Sequence, residues 1–260
     1  MLVGGFPCPD WSGAGARRGA DGQDGDLGYL AVLLAVFLQV TLAGFENVPG
    51  ILDHPISLGE MFQPAVDAGY QFVTRQSPST PWAPQHRPRV FLILFHPEAG
   101  VSPADLHEYK HRRTQGKALA IRDLGLPYSP PPPDCPSWWS AHDRQVLLSP
   151  ARTNGRRVLL PDCPAPTVLH SYGTAQTSST FDIVHGFGFL QLCAHRFLTV
   201  AELKVVMGFP RGFRLPNHRA SYGLLGNAVI PAQAAAEVGR ALYLIRWVHH
   251  PLAAANELLR

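Results

Sequence analysis

The chain has 260 residues, with 22 lysines and arginines against 19 acidic residues and a formal net charge of +3. That length accommodates one large or two modest domains, and the mild positive charge permits an anionic partner without requiring one. The 4 cysteines are scattered and form no Cys-x-x-Cys pair, which argues against a disulfide framework and against a cysteine zinc site. We therefore expect no bound metal and a reducing, intracellular compartment.

The first predicted element is a short strand over Leu2–Phe6 that runs into Pro7-Cys8. The carboxyl end of a strand in an open α/β sheet is the usual location of chemistry. A cysteine there can act as a nucleophile if backbone amides or nearby cations stabilise its thiolate. The alternative is an inert buried cysteine, and the residue alone does not separate the two.

A glycine-rich loop over Gly13–Gly28 leads into an almost wholly apolar run, Leu27–Phe45. The run is nearly long enough to span a bilayer. It nevertheless contains polar residues and ends directly in an acidic one, so we predict no membrane span. We divide it into a buried helix over Tyr29–Val40 and a strand over Thr41–Asn47.

Two more strands are predicted, near Tyr70–Arg75 and over Val90–Phe95. A basic helix is predicted from Asp105 to about Asp123, and we interpret its charges as a solvated face rather than as a sequence-reading element. The proline run Pro130–Pro133 excludes helix and central strand, which indicates an extended linker.

Residues 135–197 differ in character from the rest of the chain. Short apolar pieces alternate there with Gly, Pro, Ser and Thr, which is typical of a small, irregular β-rich module. Helices are then predicted over Thr199–Met207 and Pro231–Val248. Thr199 followed by Glu202 predicts a capping box at the start of the first of these helices.

Five short segments occur in the order found in one enzyme family. They are Pro7-Cys8, Glu46-Asn47-Val48, Gln85-His86-Arg87-Pro88-Arg89, a weaker match over Leu198–Leu203 and Met207-Gly208-Phe209-Pro210, and Gly226-Asn227-Ala228-Val229. In this order they resemble motifs IV, VI, VIII, IX and X of the DNA cytosine-5 methyltransferases. Each motif is too short to be specific alone, but five in the right order form a specific signal over nearly the whole chain.

The resemblance implies an α/β fold: a partial Rossmann-like, S-adenosylmethionine-dependent methyltransferase fold with a small irregular β-rich target recognition domain. Residues 1–98 then form the first part of the catalytic domain, and residues 99–134 a basic helix and proline-rich linker. Residues 135–197 correspond to the target recognition domain. Residues 198–260 correspond to helices that return to the catalytic domain.

The resemblance assigns the chemistry to Cys8, Glu46 and Arg89. Carbon 5 of cytosine is not nucleophilic enough to take a methyl group unaided, and a thiolate from Cys8 would activate it by adding to carbon 6. Glu46 would protonate or hydrogen-bond ring nitrogen 3, and Arg89 would hold the ring's carbonyl oxygen. The alternative for Glu46 is a strand-end glutamate in solvent. Asn47 is predicted to fix the local backbone.

Double-stranded DNA is the implied substrate, because the target cytosine must leave the base stack to reach the thiol. Contacts with DNA are predicted for Ser12, Arg17, Arg18, Arg87, Thr167 and Val168. Two alternatives stay open here: Ser12 could stabilise its loop instead, and Arg87 could pack structurally. Pro9 stands where the family usually has Gln, which puts the details of that loop in doubt but not the thiol.

Only the later part of the S-adenosylmethionine pocket is predicted on this chain. Tyr29 and Leu30 correspond to its adenine side, and Asn227, Ala228 and Val229 to a wall beside the methyl donor. The family's Phe-x-Gly-x-Gly-Gly turn, which binds the methionine end, has no counterpart here. We therefore expect a truncated chain or one half of a split enzyme, with a second polypeptide carrying that turn as its partner.

Two functions of different class follow. The first is a DNA cytosine-5 methyltransferase of the restriction–modification type, cytoplasmic and associated with the nucleoid of a bacterium or with a phage. The second is a non-catalytic DNA-binding remnant or accessory subunit that cannot bind cofactor. Joint retention of Cys8, Glu46 and Arg89 favours the first, and the missing glycine turn favours the second. An RNA cytosine methyltransferase of the same fold is a third interpretation, disfavoured by the long recognition module.

Overall fold

The computed structural model describes residues 1–7, 25–112, 114, 116–124, 140–142, 157–158, 163–172, 181–182, 197–216 and 219–249. The chain divides into two compact units. The first comprises residues 1–78, 88–114 and 233–260, and the second comprises residues 79–87 and 115–232.

The first unit is built on a four-stranded mixed sheet. Its strands are β1 (Leu2–Gly5), β2 (Leu42–Asn47), β3 (Gln71–Ser77) and β4 (Arg89–Phe95), in the spatial order β1-β2-β4-β3. β1 and β2 are parallel, whereas β4 is antiparallel to both β2 and β3. A parallel pair needs a crossover connection, and a helix between β1 and β2 supplies it.

The helices in chain order are α1 (Gly25–Phe37), α2 (Pro55–Asp67), α3 (Pro103–His111), α4 (Val200–Val206), α5 (Ala220–Asn227) and α6 (Pro231–His249). All but α4 and α5 belong wholly or mainly to the first unit. The sequence predicts the approximate positions of α1, α4 and α6, but α2 and α5 were not predicted.

The core of the first unit lies between the sheet and helices α1 and α2. Every residue of β4 is buried, which explains why Val90–Phe95 form a continuous apolar run rather than an alternating one. Val32 and Ala35 of α1 are fully buried in the same cluster as Phe62 of α2 and Leu92 of β4. The central strands are thereby covered on both faces and provide a rigid support for the residues at their ends.

One face of α1 remains exposed although it is apolar. This face carries four large apolar side chains, each 47% to 84% exposed: Leu30, Leu34, Phe37 and, just after the helix, Leu38. β1 beside it is an edge strand, since among the described strands it pairs only with β2. Helices that are apolar all round are normally covered by protein or lipid. Within the described part of the chain, however, no helix combines the length and the apolar character that a membrane crossing requires.

Helix α3 ends twelve residues earlier than its charge pattern predicts. The guanidinium of Arg75, on β3, donates to the carbonyl oxygens of Tyr109 (2.5 Å), Lys110 (3.2 Å) and Arg112 (2.6 Å). These carbonyls are the ones that a continuing helix would use itself. A side chain from a distant strand therefore caps α3, which sequence periodicity does not reveal.

Helix α6 attaches to the same strand through a buried carboxylate. Glu237 is fully buried and pairs with the Nε atom of Arg75 at 2.7 Å and with the Nη1 atom of Arg240 at 3.0 Å. It also accepts a hydrogen bond from the hydroxyl of Ser77 at 2.7 Å. Burial, and then the charge of Glu237, raise the pKa of the neighbouring Tyr109 phenol, which keeps it protonated.

The second unit has its own apolar cluster, around α4 and α5. Leu203 and Val206 of α4 pack with Tyr222 and Leu225 of α5 and with Tyr172. The capping box predicted at the start of α4 is present: the Thr199 hydroxyl and the carboxylate of residue 202 each accept the other residue's backbone N–H.

The described part of residues 135–197 contains two strands of two residues each, β5 (Arg157–Val158) and β6 (Phe181–Asp182), paired in parallel. The unit boundaries also differ from the predicted segments. Residues 79–87 fall in the second unit, and the predicted returning segment 198–260 divides after residue 232. The apolar side of α4 is one reason that residues 198–232 belong to the second unit, because it packs onto that unit's cluster.

Candidate functional site

Glu46 and Arg89, the two predicted catalytic residues that the structure describes, lie where β2 ends and β4 begins. Because β2 is parallel to β1 and antiparallel to β4, these two strand ends and the end of β1 meet at one edge of the sheet. Glu46 is directly opposite Phe91, and Arg89 lies two residues before Phe91 on the same face. Diagonal neighbours of this kind are within reach of long side chains.

Glu46 and Arg89 form an ion pair across this diagonal. The Nε atom of Arg89 is 2.6 Å from Oε1 of Glu46, and Nη1 of Arg89 donates to the carbonyl of Pro88 at 2.8 Å. The arginine side chain is 9% exposed and the glutamate side chain 20%. A charge-assisted hydrogen bond in a mostly shielded setting fixes the carboxylate in one orientation, unlike the strand-end glutamate in solvent that was the alternative.

Because Gly5 has no side chain, the carboxylate of Glu46 can lie close to the end of β1. A Cβ atom on Gly5 would lie 3.3 Å from Oε2 of Glu46 and 3.4 Å from its carbonyl oxygen, so a larger residue would push the carboxylate away. Gly5 is the last residue of β1, paired in register with Glu46. One oxygen of the glutamate therefore faces Arg89, while the other lies beside the strand that leads to Pro7-Cys8.

Asn47 fixes the backbone at this point, as predicted. It is buried, and its Nδ2 atom donates to the carbonyl of Phe6 at 3.3 Å. Its Oδ1 atom accepts a hydrogen bond from the backbone N–H of Val48 at 2.8 Å. The amide thus joins the exit of β1 to the exit of β2. Pro88 directly precedes β4, the strand-start position at which a proline costs no ladder hydrogen bond.

Four predicted site residues lie outside the described residues: Cys8, Ser12, Arg17 and Arg18. Their assignments remain predictions. The described chain reaches Pro7, and Phe6 before it is buried. Phe6 lies at the edge of the sheet that carries Glu46, because its carbonyl accepts a hydrogen bond from Asn47.

Arg87 corrects one of the predicted DNA contacts. Its side chain is only 2% exposed, in the second unit. The guanidinium donates to the carbonyls of Val168 (2.6 Å), Gly226 (2.7 Å) and Ala228 (2.8 Å). A side chain buried in this way has almost no surface to offer a phosphate, so the structural alternative holds: Arg87 connects the chain at Val168 with the end of α5 at Gly226 and Ala228.

Thr167 and Val168, which were also predicted to contact DNA, differ in how deeply their side chains are buried. The Val168 side chain is fully buried in the apolar cluster, and its backbone N–H bonds to the side chain of Gln85 at 3.1 Å. Val168 is therefore a core residue rather than a DNA contact. Thr167 is half-buried and its hydroxyl donates to the carbonyl of His86, so its role in DNA recognition remains a prediction.

The residues predicted to bind the donor are largely accessible. Tyr29 and Leu30 of α1 are exposed, and so is Asn227, the last residue of α5, whereas Ala228 and Val229 are half-buried. Gly226 is buried, and a Cβ atom there would overlap the backbone of Leu169, so only glycine fits. The first two residues belong to the first unit and the others to the second.

The sequence motifs point to Glu46 and Arg89, but they do not point to Gly5, which leaves the space that the Glu46 carboxylate occupies. Its signal was present in the chain as the pair Gly4-Gly5 at the end of an apolar strand, because a glycine inside a strand often marks a close approach of another group. Which of the two glycines is approached cannot be read from the sequence, since it depends on the pairing of β1 with β2.

Comparison with known proteins connects this site to a family. The family model described as C-5 cytosine-specific DNA methylase matches residues 1–133. Type II methyltransferase M.NgoPII of Neisseria gonorrhoeae is 27% identical over 263 residues, covering 93% of this chain and 76% of that protein. Type II methyltransferase M.MspI of Moraxella sp is 24% identical over 238 residues, covering 88% of this chain and 53% of that protein.

Solved structures with the same fold include a putative DNA modification methyltransferase encoded within an Escherichia coli prophage. It has a TM-score of 0.64 at 17% identity and covers 94% of this chain and 78% of that one. A methyltransferase of Entamoeba histolytica, EhMeth, has a TM-score of 0.60 at 15% identity, covering 94% and 76%. The mixed α/β architecture is thus consistent with a partial S-adenosylmethionine-dependent methyltransferase fold.

The family match includes both residues of the ion pair at the sheet edge as well as Pro7-Cys8 and Gln85-His86-Arg87. It extends over more than half of the 260 residues. The chain belongs to the C-5 cytosine-specific DNA methylase family.

Proposed function

We propose that this chain carries the reacting residues of a DNA cytosine-5 methyltransferase. The observation that supports this most directly is the ion pair between Glu46 and Arg89 at the edge of the sheet where β1 leads into Pro7-Cys8. A carboxyl group held by an arginine at this edge has the chemistry needed to engage a cytosine ring.

In the proposed reaction the thiolate of Cys8 forms a bond to carbon 6 of a cytosine turned out of the duplex. Electron density then moves to carbon 5, which would form a bond to the methyl group as the bond between that group and the sulfonium sulfur of S-adenosyl-L-methionine breaks, leaving a neutral thioether. Transfer of the carbon 5 proton to water and cleavage of the bond between the Cys8 sulfur and carbon 6 would release the methylated base and the thiolate. No oxidant or reductant is needed, because one proton leaves for the one methyl group that enters.

Glu46 and Arg89 have complementary roles in this proposal. Arg89 holds Oε1 of Glu46 at 2.6 Å, and we assign Oε2 to face ring nitrogen 3, where it would hydrogen-bond or donate a proton as the thiolate adds. Arg89 would also hold the ring's carbonyl oxygen, where negative charge accumulates. Asn47 and Gly5 position this pair relative to the end of β1.

S-adenosyl-L-methionine would supply the methyl group. Tyr29 and Leu30 of the first unit are exposed, and so is Asn227 at the end of α5 in the second unit, so all three side chains are accessible to a ligand. We assign these residues, with Ala228 and Val229, to hold the donor. We further propose that a polypeptide segment with the family's glycine-rich turn completes the site, and that residues 135–197 read the DNA sequence.

The test is covalent trapping on duplex DNA that contains 5-fluorocytosine. Fluorine replaces the proton that must leave carbon 5, so the adduct with Cys8 persists after methyl transfer. The chain is incubated with this DNA and S-adenosylmethionine, with and without a polypeptide that carries the glycine-rich turn. An adduct that survives denaturation is expected, and Cys8→Ser should form none.

Two outcomes would count against the proposal. An adduct of equal yield with Cys8→Ser would show that another residue is the nucleophile. No adduct under any condition, together with retained binding of duplex DNA, would favour the second function, a non-catalytic DNA-binding protein. Cys163→Ser is a suitable control, because Cys163 is an exposed free cysteine of the second unit and should leave the adduct unchanged.

A further inference from the structure

The loop between α4 and α5 in the second unit is basic and exposed. It comprises residues 210–216, and we call it the 210–216 loop. Arg211, Phe213 and Arg214 all lie on the surface, and the ring of Phe213 is 44% exposed. Neither the family motifs nor the proposed reaction uses these three side chains.

The backbone of this loop is held in place. The ammonium of Lys204, in α4, donates to the carbonyl of Arg211 at 3.3 Å and to that of Phe213 at 2.6 Å. The rings of Phe209 and Phe213 pack with centroids 4.9 Å apart, and the N–H of Phe213 bonds to the carbonyl of Pro210 at 2.9 Å. The two arginines are thus presented from a fixed turn, which lowers the entropy lost when they bind a ligand.

No acidic residue stands close to this loop in the sequence. The sequence contains no Asp or Glu between Glu202 and Glu237. Glu202 itself is buried, and its carboxylate accepts a hydrogen bond from the backbone N–H of Thr199 at 2.7 Å. Among the ion pairs of the described residues, none involves Arg211 or Arg214.

We propose that the 210–216 loop binds the phosphate backbone of duplex DNA, with Arg211 and Arg214 as the contacts and Lys204 as the residue that positions them. This rests on the proposed function, which makes DNA the substrate. Guanidinium groups match phosphate oxygens with paired N–H donors. Such contacts orient a protein on the duplex without reading bases, so this loop adds affinity rather than specificity.

The test is the salt dependence of DNA binding by the full chain, measured by fluorescence anisotropy with a labelled duplex. Each phosphate contact contributes about 0.9 to the slope of log affinity against log salt concentration. Arg211→Gln combined with Arg214→Gln should therefore reduce the slope by about 1.8. Arg211→Lys combined with Arg214→Lys keeps both charges and should retain most of the slope.

The matched control is Lys110→Gln combined with Arg112→Gln, which removes two exposed charges at the end of α3 in the first unit. Its slope should stay within about 0.3 of the parent's. An unchanged slope in the Arg211 and Arg214 double glutamine variant would overturn this inference, and so would an equal loss in the control. Absence of any duplex binding by the parent chain would instead contradict the proposed function. Tighter binding of duplex RNA through the same arginines would overturn the assignment to DNA.

Discussion

The carboxylate of Glu46 is oriented from two sides, by the guanidinium of Arg89 at 2.6 Å and by the bare backbone of Gly5. If this orientation serves the addition of the thiolate, Glu46→Gln should slow single-turnover methyl transfer by roughly a hundredfold or more. Arg89→Gln should slow it as well, because the carbonyl oxygen of the ring and the carboxylate both lose their partner. DNA binding should remain, as measured with the same labelled duplex.

Glu108→Gln is the control for these variants, since its carboxylate is exposed and pairs only loosely with Arg112, at 3.8 Å. Transfer rates should be unaffected by it. If neither Glu46→Gln nor Arg89→Gln changes the single-turnover rate, the family's roles have been assigned to the wrong residues of this chain.

Adjacent glycines allow a sharper test at the same place. Gly5→Ala would place a Cβ atom 3.3 Å from Oε2 of Glu46, whereas nothing lies within 4 Å of a Cβ atom on Gly4. A displacement of a few tenths of an ångström at a catalytic group should slow transfer by about tenfold. Single-turnover rates of Gly5→Ala and Gly4→Ala should therefore differ clearly, and equal rates would show that the Glu46 carboxylate does not act from this position.

At the scale of the elements, the buried ion pair of Arg75 and Glu237 connects β3, α3 and α6. Glu237→Gln keeps the shape but removes the charge, which leaves the arginine buried without its carboxylate. Removing one partner of a buried pair costs about 3 to 5 kcal/mol. Urea denaturation should show a loss of that size in the free energy of unfolding.

Glu108→Gln again provides the comparison, because exposed pairs contribute about 0 to 1 kcal/mol. If Glu237→Gln lowers the free energy of unfolding no more than Glu108→Gln does, the buried network does not stabilise the first unit. Since Arg75 also caps α3, the loss should be accompanied by reduced helical signal in circular dichroism.

The sequence predicted those elements that depend only on residues close together in the chain. The apolar run of β4, the capping box at Thr199 and the helix α6 all follow from residues close together in the chain. The end of α3 did not follow, because Arg75 reaches it from 34 residues away. The same limit explains Arg87, whose burial depends on Gly226, 139 residues later. In the candidate site, the motifs pointed to Glu46 and Arg89, but only the strand register located Gly5 beside Glu46.

At the scale of the whole molecule, the proposal that this chain supplies only part of the donor site makes a direct prediction. Titration calorimetry on the isolated chain should detect little or no binding of S-adenosylmethionine, because the glycine-rich turn that binds its methionine end has no counterpart in these 260 residues. Adding a polypeptide with that turn should restore donor binding and raise the melting temperature together, since a ligand that binds only the folded state stabilises it.

A well-folded monomer that binds the donor with micromolar affinity would contradict this expectation. It would mean that the pocket is completed by residues of this chain that the motifs do not identify. Asn227→Ala would then be the informative variant, because an exposed side chain at the end of α5 can be removed without disturbing the core.

The exposed apolar face of α1 and the edge of β1, which is unpaired among the described strands, determine how association of the chain should respond to temperature. Association through apolar surface is driven by the release of ordered water, so it carries a negative heat-capacity change and strengthens on warming from the cold. A strand edge adds hydrogen-bonding groups that can extend such contacts. Light scattering by the purified chain should therefore increase between ice temperature and room temperature, and a polypeptide that covers this face should abolish the increase.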